Sequence, residues 1–392
     1  MTHSARRAEL IDDARRRYDV RRVEQFAEHL LWTDPVVDCA VEAIAAAPDG
    51  WRTFHHAVLS GSGDLADLPE PAWDLFARVE PPDWVDLARV ERGATVWWRC
   101  GLLLLPSLLH VLLEQYSFAD LNKPLTMNGR FLDGSGQRIE ETLRWVLMVT
   151  EPGAMGPNSP AVRETLRIAV VHGVIRRHIR QSARWDTARL GPPITGTGMA
   201  HTALAFAIEP VRAMRACGVS VTPSEEADVL HLWRWIGHVM GVPAVLLPAE
   251  PAAAVEGYRI ALDLLLDPDD DAIALIEVTC RDALRIDRML PGGVGDRFGL
   301  KVRHVASRVV IGMSMRWVHP RVAEVPGMPT RSPWRHATVL AAPGLRLGDL
   351  ARRRGRRGTD RDIARRRRAT YLSSLERMRG ADHPVAIHEL KV

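Results

Sequence analysis

The sequence predicts an all-α fold built as a single large helical domain. Three observations carry this. Apolar residues recur at helical spacing along most of the chain. Several of these runs open on a capping residue followed by proline and close on glycine. Strand signals are few: residues 272–280 and 308–318 hold β-branched residues, but neither stretch alternates.

Taken in order, Arg6 to Leu31 is charged and periodic. Asp34 can cap the next helix, with Pro35 in its first turn and Val36, Val37, Ala40 and Ile44 at helical spacing. Glu80-Pro81-Pro82-Asp83-Trp84-Val85-Asp86 is a rigid connector, because paired prolines disfavour helix. Val96 to Leu113 is the longest apolar run. Arg99, Pro106 and His110 interrupt it, so it reads as a buried helix pair rather than a membrane span. Asn122 to Gly136 reads as a loop, and Arg138 to Val149 as a helix. Ser159-Pro160 starts a helix to about Gln181. Trp185 to Gly198 reads as a loop, and a helix from Met199 to Cys217 follows, with Pro210 inside it. Thr222-Pro223-Ser224-Glu225 is a capping box, and Gly241 ends its helix. The organisation expected is N-terminal helices over 1–79, a central helical domain over 80–340 and an arginine-rich C-terminal tail over 341–392.

The chain has 392 residues, 46% hydrophobic and 26% charged, enough to bury a sizeable core. Its net charge of +4 is unevenly spread. Arg352 to Arg379 holds 12 arginines against Asp360, Asp362 and Glu376, a local +9 that leaves −5 for the rest. This segment reads as a solvated appendage, and no specific nucleic-acid module accompanies it. Cys39, Cys100, Cys217 and Cys280 are scattered, which excludes C-x-x-C zinc, redox and covalent haem motifs and fits reduced thiols in a cytoplasmic protein. No secretory signal is visible and no transmembrane segment is expected. Phosphate-loop, nucleophile-elbow and H-E-x-x-H motifs do not occur. Asp267 to Asp271 is acidic but lacks the spacing of a calcium loop.

Among 15 histidines, His172, His201 and His238 lie in apolar helical stretches. A histidine on such a face is most often a core residue. His201 differs because Leu204, Ala205 and Ile208 share its side of the helix, a small apolar surface that suits a flat cofactor beside an axial imidazole. Glu151, Arg167 and His172 form a polar set upstream. His172 lies one turn from Arg176, and about 140° around the helix from Arg167.

These residues, with others in the same order, resemble the haem oxygenase family that includes the rubber oxygenases (latex-clearing proteins) and the MpaB-type oxygenase. The shared landmarks are Pro81-Pro82-Asp83-Trp84-Val85-Asp86, Lys123-Pro124-Leu125 with Asn128-Gly129-Arg130, and Arg138-Ile139-Glu140-Glu141-Thr142. Leu166-Arg167 with His172 and Arg176 come next, then Trp185, Gly191-Pro192-Pro193-Ile194, and Thr202 with Phe206. Trp235-Ile236-Gly237-His238, Gly241-Val242-Pro243 and Leu247-Pro248 complete the set. The resemblance spans roughly residues 80 to 250. It implies a globin-like core holding non-covalent haem b, with His201 as the proximal iron ligand, Glu151 as the catalytic base and Arg167 as the distal arginine. His172, Arg176, Leu204, Ala205 and Ile208 complete the expected cofactor shell.

Two departures bear on activity. Val170 and Val171 stand where the latex-clearing proteins carry a lysine and a threonine near the iron, and Thr195 to Gly198 replaces an acidic residue before the proximal helix. With no export signal either, extracellular polyisoprene is not the expected substrate. The expectation is therefore a cytoplasmic haem-dependent oxygenase acting with O₂ on an apolar, unsaturated small molecule. The alternatives are a haem-binding sensor or carrier without turnover, a scaffold that has lost haem, and a helical interaction protein using the basic tail.

Overall fold

The computed structural model describes residues 3–60, 67–127, 131–280 and 305–379. The landmark Asn128-Gly129-Arg130 and the end of the arginine-rich segment, 380–392, lie outside the described residues. The chain opens with α1 (His3–Arg17), α2 (Val20–Glu28), α3 (Pro35–Ala46), α4 (Gly50–Ser60) and the short α5 (Trp73–Phe76). Next come α6 (Leu87–Trp97), α7 (Leu104–Tyr116), α8 (Ala119–Thr126), α9 (Phe131–Val149), α10 (Pro160–Arg180) and the short α11 (Thr187–Leu190). Then follow α12 (Gly196–Ala216), α13 (Pro223–Met240), α14 (Pro251–Leu265) and α15 (Asp270–Val278). The described chain closes with α16 (Val305–Ser314), the short α17 (Pro320–Ala323), α18 (Ala337–Arg353) and α19 (Asp360–Arg379). Among the described residues there is no strand. An isolated bridge joins Phe118 to Asp267.

The caps form where the sequence places them. Asp34 accepts from the Val37 amide and also receives both Arg78 guanidinium nitrogens. Ser159 caps α10, and Thr222 with Glu225 forms the reciprocal capping box of α13. Gly241 ends α13 at φ 86°, a left-handed conformation that favours glycine.

Two boundaries move. The expected loop up to Gly198 is shorter, because Thr195 accepts from the Gly198 amide at 3.2 Å and starts α12 at Gly196. The expected loop over 122–136 is largely helical. Lys123 and Thr126 both bind Asp271 on α15, which ties the last turn of α8 down.

Helices α12 and α13 form the centre. α12 packs on α14, α13 and α7, while α13 packs on α6 and α10. Trp97, Trp98, Trp233 and Trp235 are fully buried. Trp97, Trp98 and Trp235 each donate an indole N–H to a backbone carbonyl, which lets large rings enter the core without stranding a polar atom. The stretch Leu87–Tyr116 is apolar and long enough to cross a membrane, but 78% of its most apolar window is buried inside the protein. Gly101, at φ 55°, breaks it between α6 and α7. It is a core element, as the interrupting residues implied.

Helices α6 and α13 approach closely at Gly93. A Cβ added at Gly93 would lie 2.1 Å from the backbone oxygen of Asp228. Backbone cannot move aside cheaply, so Gly93→Ala is expected to destabilise the protein by about 2 kcal/mol, read as a lower urea midpoint.

The arginine-rich segment requires a correction. It is not simply a solvated appendage. Ile363, Ala364, Tyr371 and Leu375 of α19 are buried, and the Tyr371 hydroxyl donates to the Gly101 carbonyl at 2.8 Å. Arg367 donates to the Trp98 and Arg99 carbonyls freed at the Gly101 break, and Arg99 pairs with Asp360 at 2.5 Å. Part of the positive charge therefore satisfies core carbonyls that the α6–α7 break leaves without helical partners. Cys39 is exposed, while Cys100 and Cys217 are buried.

Candidate functional site

The N-terminus of α12 is wedged in place before it presents any side chain. Thr197 donates to the Phe26 carbonyl at 2.6 Å, and Gly196 lies so close to Trp32 that a Cβ would meet its ring at 2.8 Å. His201 follows less than two turns later and is fully buried. The Tyr258 ring of α14 stacks on its imidazole at 4.8 Å and 27°, and Phe118 meets it edge-on at 4.9 Å. The Phe118–Asp267 bridge fixes the backbone that carries Phe118.

Neither ring nitrogen of His201 has a hydrogen-bond partner. Burial, with a smaller contribution from His110, pushes its pKa down to about 3. His201 is therefore a neutral imidazole with an available lone pair. Leaving two buried nitrogens unpaired costs free energy unless one serves another purpose, and metal ligation is such a purpose. Among the described residues no three His, Cys, Asp or Glu side chains converge as a metal site would need. A lone imidazole suits an iron whose other ligands arrive with a macrocycle, so the donor set fits haem better than a bare ion.

A buried polar network adjoins this ring. The Tyr258 hydroxyl donates to Glu114 Oε2 at 2.8 Å, and the His319 amide donates to Glu114 Oε1 at 2.7 Å. Burial pushes the Glu114 carboxyl above its ordinary range. His110 Nε2 lies 3.0 Å from Glu209 Oε2, both side chains being fully buried, and Arg212 holds the other Glu209 oxygen at 2.9 Å. Burial opposes charge on His110, yet Glu209 and then Glu114 outweigh it and raise its pKa. Burial likewise opposes the Glu209 carboxylate, while His110 and Arg212 hold its pKa below the ordinary value. Glu114, Glu209, Tyr258 and Ile208 line a cleft of about 700 Å³ with Arg212 and Trp317.

Sequence reasoning missed this network. The available signal was His110 and Glu209, each a titratable residue set in an apolar helical stretch, which implies a buried partner.

The remaining expected site residues are distributed as follows. Leu204 and Ala205 are buried, with Leu204 near Gly257 of α14, and Ile208 reaches the cleft. Phe206 leaves α12 in another direction, stacking on Trp233 at 4.7 Å and approaching Trp145, whose indole N–H donates to Thr165 of α10. Arg167 is held by Glu164 at 2.6 and 2.8 Å. His172 is half-buried on α10 and Val170 is buried beside it. Arg176 is buried and pairs with Asp38 of α3 at 2.7 Å, which gives it a structural partner. Glu151 follows the end of α9, is 49% exposed, and pairs with Arg368 at 2.7 Å. His238 stacks on Trp235 and meets Trp84 edge-on. No direct contact joins Glu151, Arg167 and His201 among the described residues. Trp145 of α9, Phe206 of α12 and Trp233 of α13 instead form an aromatic cluster of their own.

Comparison with known proteins bears on this arrangement. The family model for the catalytic domain of the ER-bound oxygenase mpaB/B' and rubber oxygenase matches residues 94–352. A rubber oxygenase from Streptomyces sp. (strain K30) is 24% identical over 302 residues, spanning 71% of this chain and 72% of its own length. The solved structure of latex clearing protein LCP in its closed state matches with a TM-score of 0.59 at 19% identity, covering 86% of this chain and 88% of that one. That likeness is one of fold, and it accords with the all-α architecture.

Proposed function

The chain belongs to the MpaB/rubber oxygenase family, and from that premise we propose that it is a cytoplasmic haem b-dependent oxygenase acting with O₂ on an apolar, unsaturated small molecule. The observation that carries the haem assignment is His201, buried and neutral with both ring nitrogens unpartnered. The Streptomyces relative is named for its action on rubber, an apolar and unsaturated polymer, and this supports the substrate class.

In this reading His201 holds the iron through one ring nitrogen, while Tyr258 and Phe118 fix the plane of the ring. The haem, when bound, supplies an iron at which O₂ is activated. Trp145, Phe206 and Trp233 exclude water and offer apolar contact to a hydrocarbon. Arg167, its guanidinium oriented by Glu164, is the cation that would offset negative charge developing at the reacting centre. Glu151 is the base assigned to accept a proton from substrate, acting from the protein's rim, where Arg368 orients its carboxylate.

The test is spectroscopic and then functional. Protein produced with haem supplied is expected to show a Soret band and to consume O₂ when an unsaturated hydrocarbon such as squalene is added. Absence of the Soret band overturns the assignment. A second reading, a haem-binding sensor or carrier, is favoured by the apolar pair Val170 and Val171, which leaves fewer polar groups on α10 to activate oxygen. It predicts the Soret band without alkene-dependent O₂ uptake.

A further inference from the structure

Helix α18 turns two polar side chains inward beside Leu345 and an apolar stripe outward. Thr338 and Asp349 point inward and are buried; Asp349 accepts from Arg352 at 2.8 Å and from the Ser220 amide at 3.2 Å. The outward side carries Val339, Leu340, Leu347 and Leu350, exposed by 51, 82, 68 and 43%, with Pro343 exposed among them. At about 100° per residue these five positions fall within an arc of about 100°. A helix folded against a soluble core places its apolar stripe inward. Trp334, one turn before α18, is a further exposed aromatic at 40%.

Charge supplies the second observation. Arg353, Arg354, Arg356 and Arg357 follow the stripe directly and are exposed, and among the described residues no carboxylate pairs with them. Their neighbours differ: Arg352 pairs with Asp349 and Asp360, Arg361 with Glu91, Arg365 with Asp362 and Arg368 with Glu151. Among the described residues Arg331, Arg335 and Arg346 also lack a carboxylate partner, so unpaired cations flank the apolar stripe, with four of them at its C-terminal end.

We propose that α18 docks this protein on an anionic membrane. The helix lies in the bilayer plane, with Leu340, Leu347 and Leu350 among the acyl chains and Arg353 to Arg357 against lipid phosphates. An apolar stripe flanked by arginines matches the two layers of such an interface. A second copy of the chain would cover the leucines but gives the arginine cluster no anionic partner. Nucleic acid answers the arginines but gives the leucines no apolar surroundings. The docking stands apart from the haem assignment and places the protein where apolar molecules concentrate.

Flotation with vesicles of phosphatidylcholine, with and without phosphatidylglycerol, tests this on the full chain. Binding to phosphatidylglycerol vesicles is expected to exceed binding to phosphatidylcholine alone by at least about tenfold, and to fall with added salt. The double variant Leu340→Asp/Leu347→Asp is expected to lose vesicle binding by at least about tenfold while keeping the parent's circular dichroism and melting temperature. Arg353→Ser/Arg354→Ser/Arg356→Ser is expected to lose the preference for anionic lipid. Failure of the parent to bind anionic vesicles overturns the proposal, as does undiminished binding by the leucine variant. A parent dimer dissociated by the leucine variant in sedimentation, or RNA binding tighter than vesicle binding, overturns it in favour of that other partner.

Discussion

Replacing His201 with alanine is expected to abolish haem binding, with the Soret band lost and haem affinity reduced by more than about 100-fold. The effect follows from where the side chain sits in the fold. It is fully buried, neutral, and held between Tyr258 and Phe118 with both nitrogens unpartnered. The same substitution is expected to cost the apoprotein little. It removes packing against two rings, which destabilises, and two unsatisfied buried nitrogens, which stabilises, so the terms offset to within about 1 kcal/mol. Urea unfolding of the apoprotein beside the absorption spectrum separates a ligand from a packing residue. His172→Ala is the control, and its Soret band is expected to persist. A Soret band unchanged in His201→Ala sinks the assignment.

The second large effect lies in the network beside that ring. Glu209→Ala is expected to destabilise the protein by about 3–5 kcal/mol, because it strands the fully buried His110 without its carboxylate. The pair also sets a pH window. His110 titrates above its ordinary 6.5 in the folded protein, so its contribution is fully present below that value and is lost as pH rises through the raised pKa. Glu209 titrates below its ordinary 4.5, so its contribution is present above that value and is lost as pH falls through the lowered pKa. Stability from the pair is therefore greatest between about pH 4.5 and 6.5 and declines on either side. Urea midpoints measured across pH for the parent and for Glu209→Ala should converge at both extremes. A difference independent of pH contradicts the coupling of His110 to Glu209.

Local chemistry made much of the fold legible. Ser159-Pro160 and Thr222-Pro223-Ser224-Glu225 carry their capping partners within three residues, so the starts of α10 and α13 follow from the chain alone. The start of α12 was harder to read, because Thr195 with three following small residues looks like a loop until its hydroxyl captures the Gly198 amide. The arginine-rich segment misled in the other direction. Its charge density implies solvation, but the carbonyls released at Gly101 lie 268 residues or more away in sequence, and only packing reveals that Arg367 serves them.

The candidate site divides along the same line. His201 with Leu204, Ala205 and Ile208 is a helical pattern, readable at a spacing of three and four residues because one turn brings those positions to one side. Tyr258, Glu114 and His110 come from other helices, and no local periodicity announces which of them will face the ring.

The sequence alone determined the all-α class and most helix limits, and it placed His201 on a small apolar helical side, since each depends on contacts within a turn or two. Tertiary structure decided what surrounds that imidazole. It gave Arg176 to Asp38, Glu151 to Arg368 and Arg167 to Glu164, and it turned the leucines of α18 outward beside unpaired arginines. Which groups are desolvated together depends on helices meeting across long separations, and desolvation sets both the neutrality of His201 and the strength of the His110–Glu209 pair.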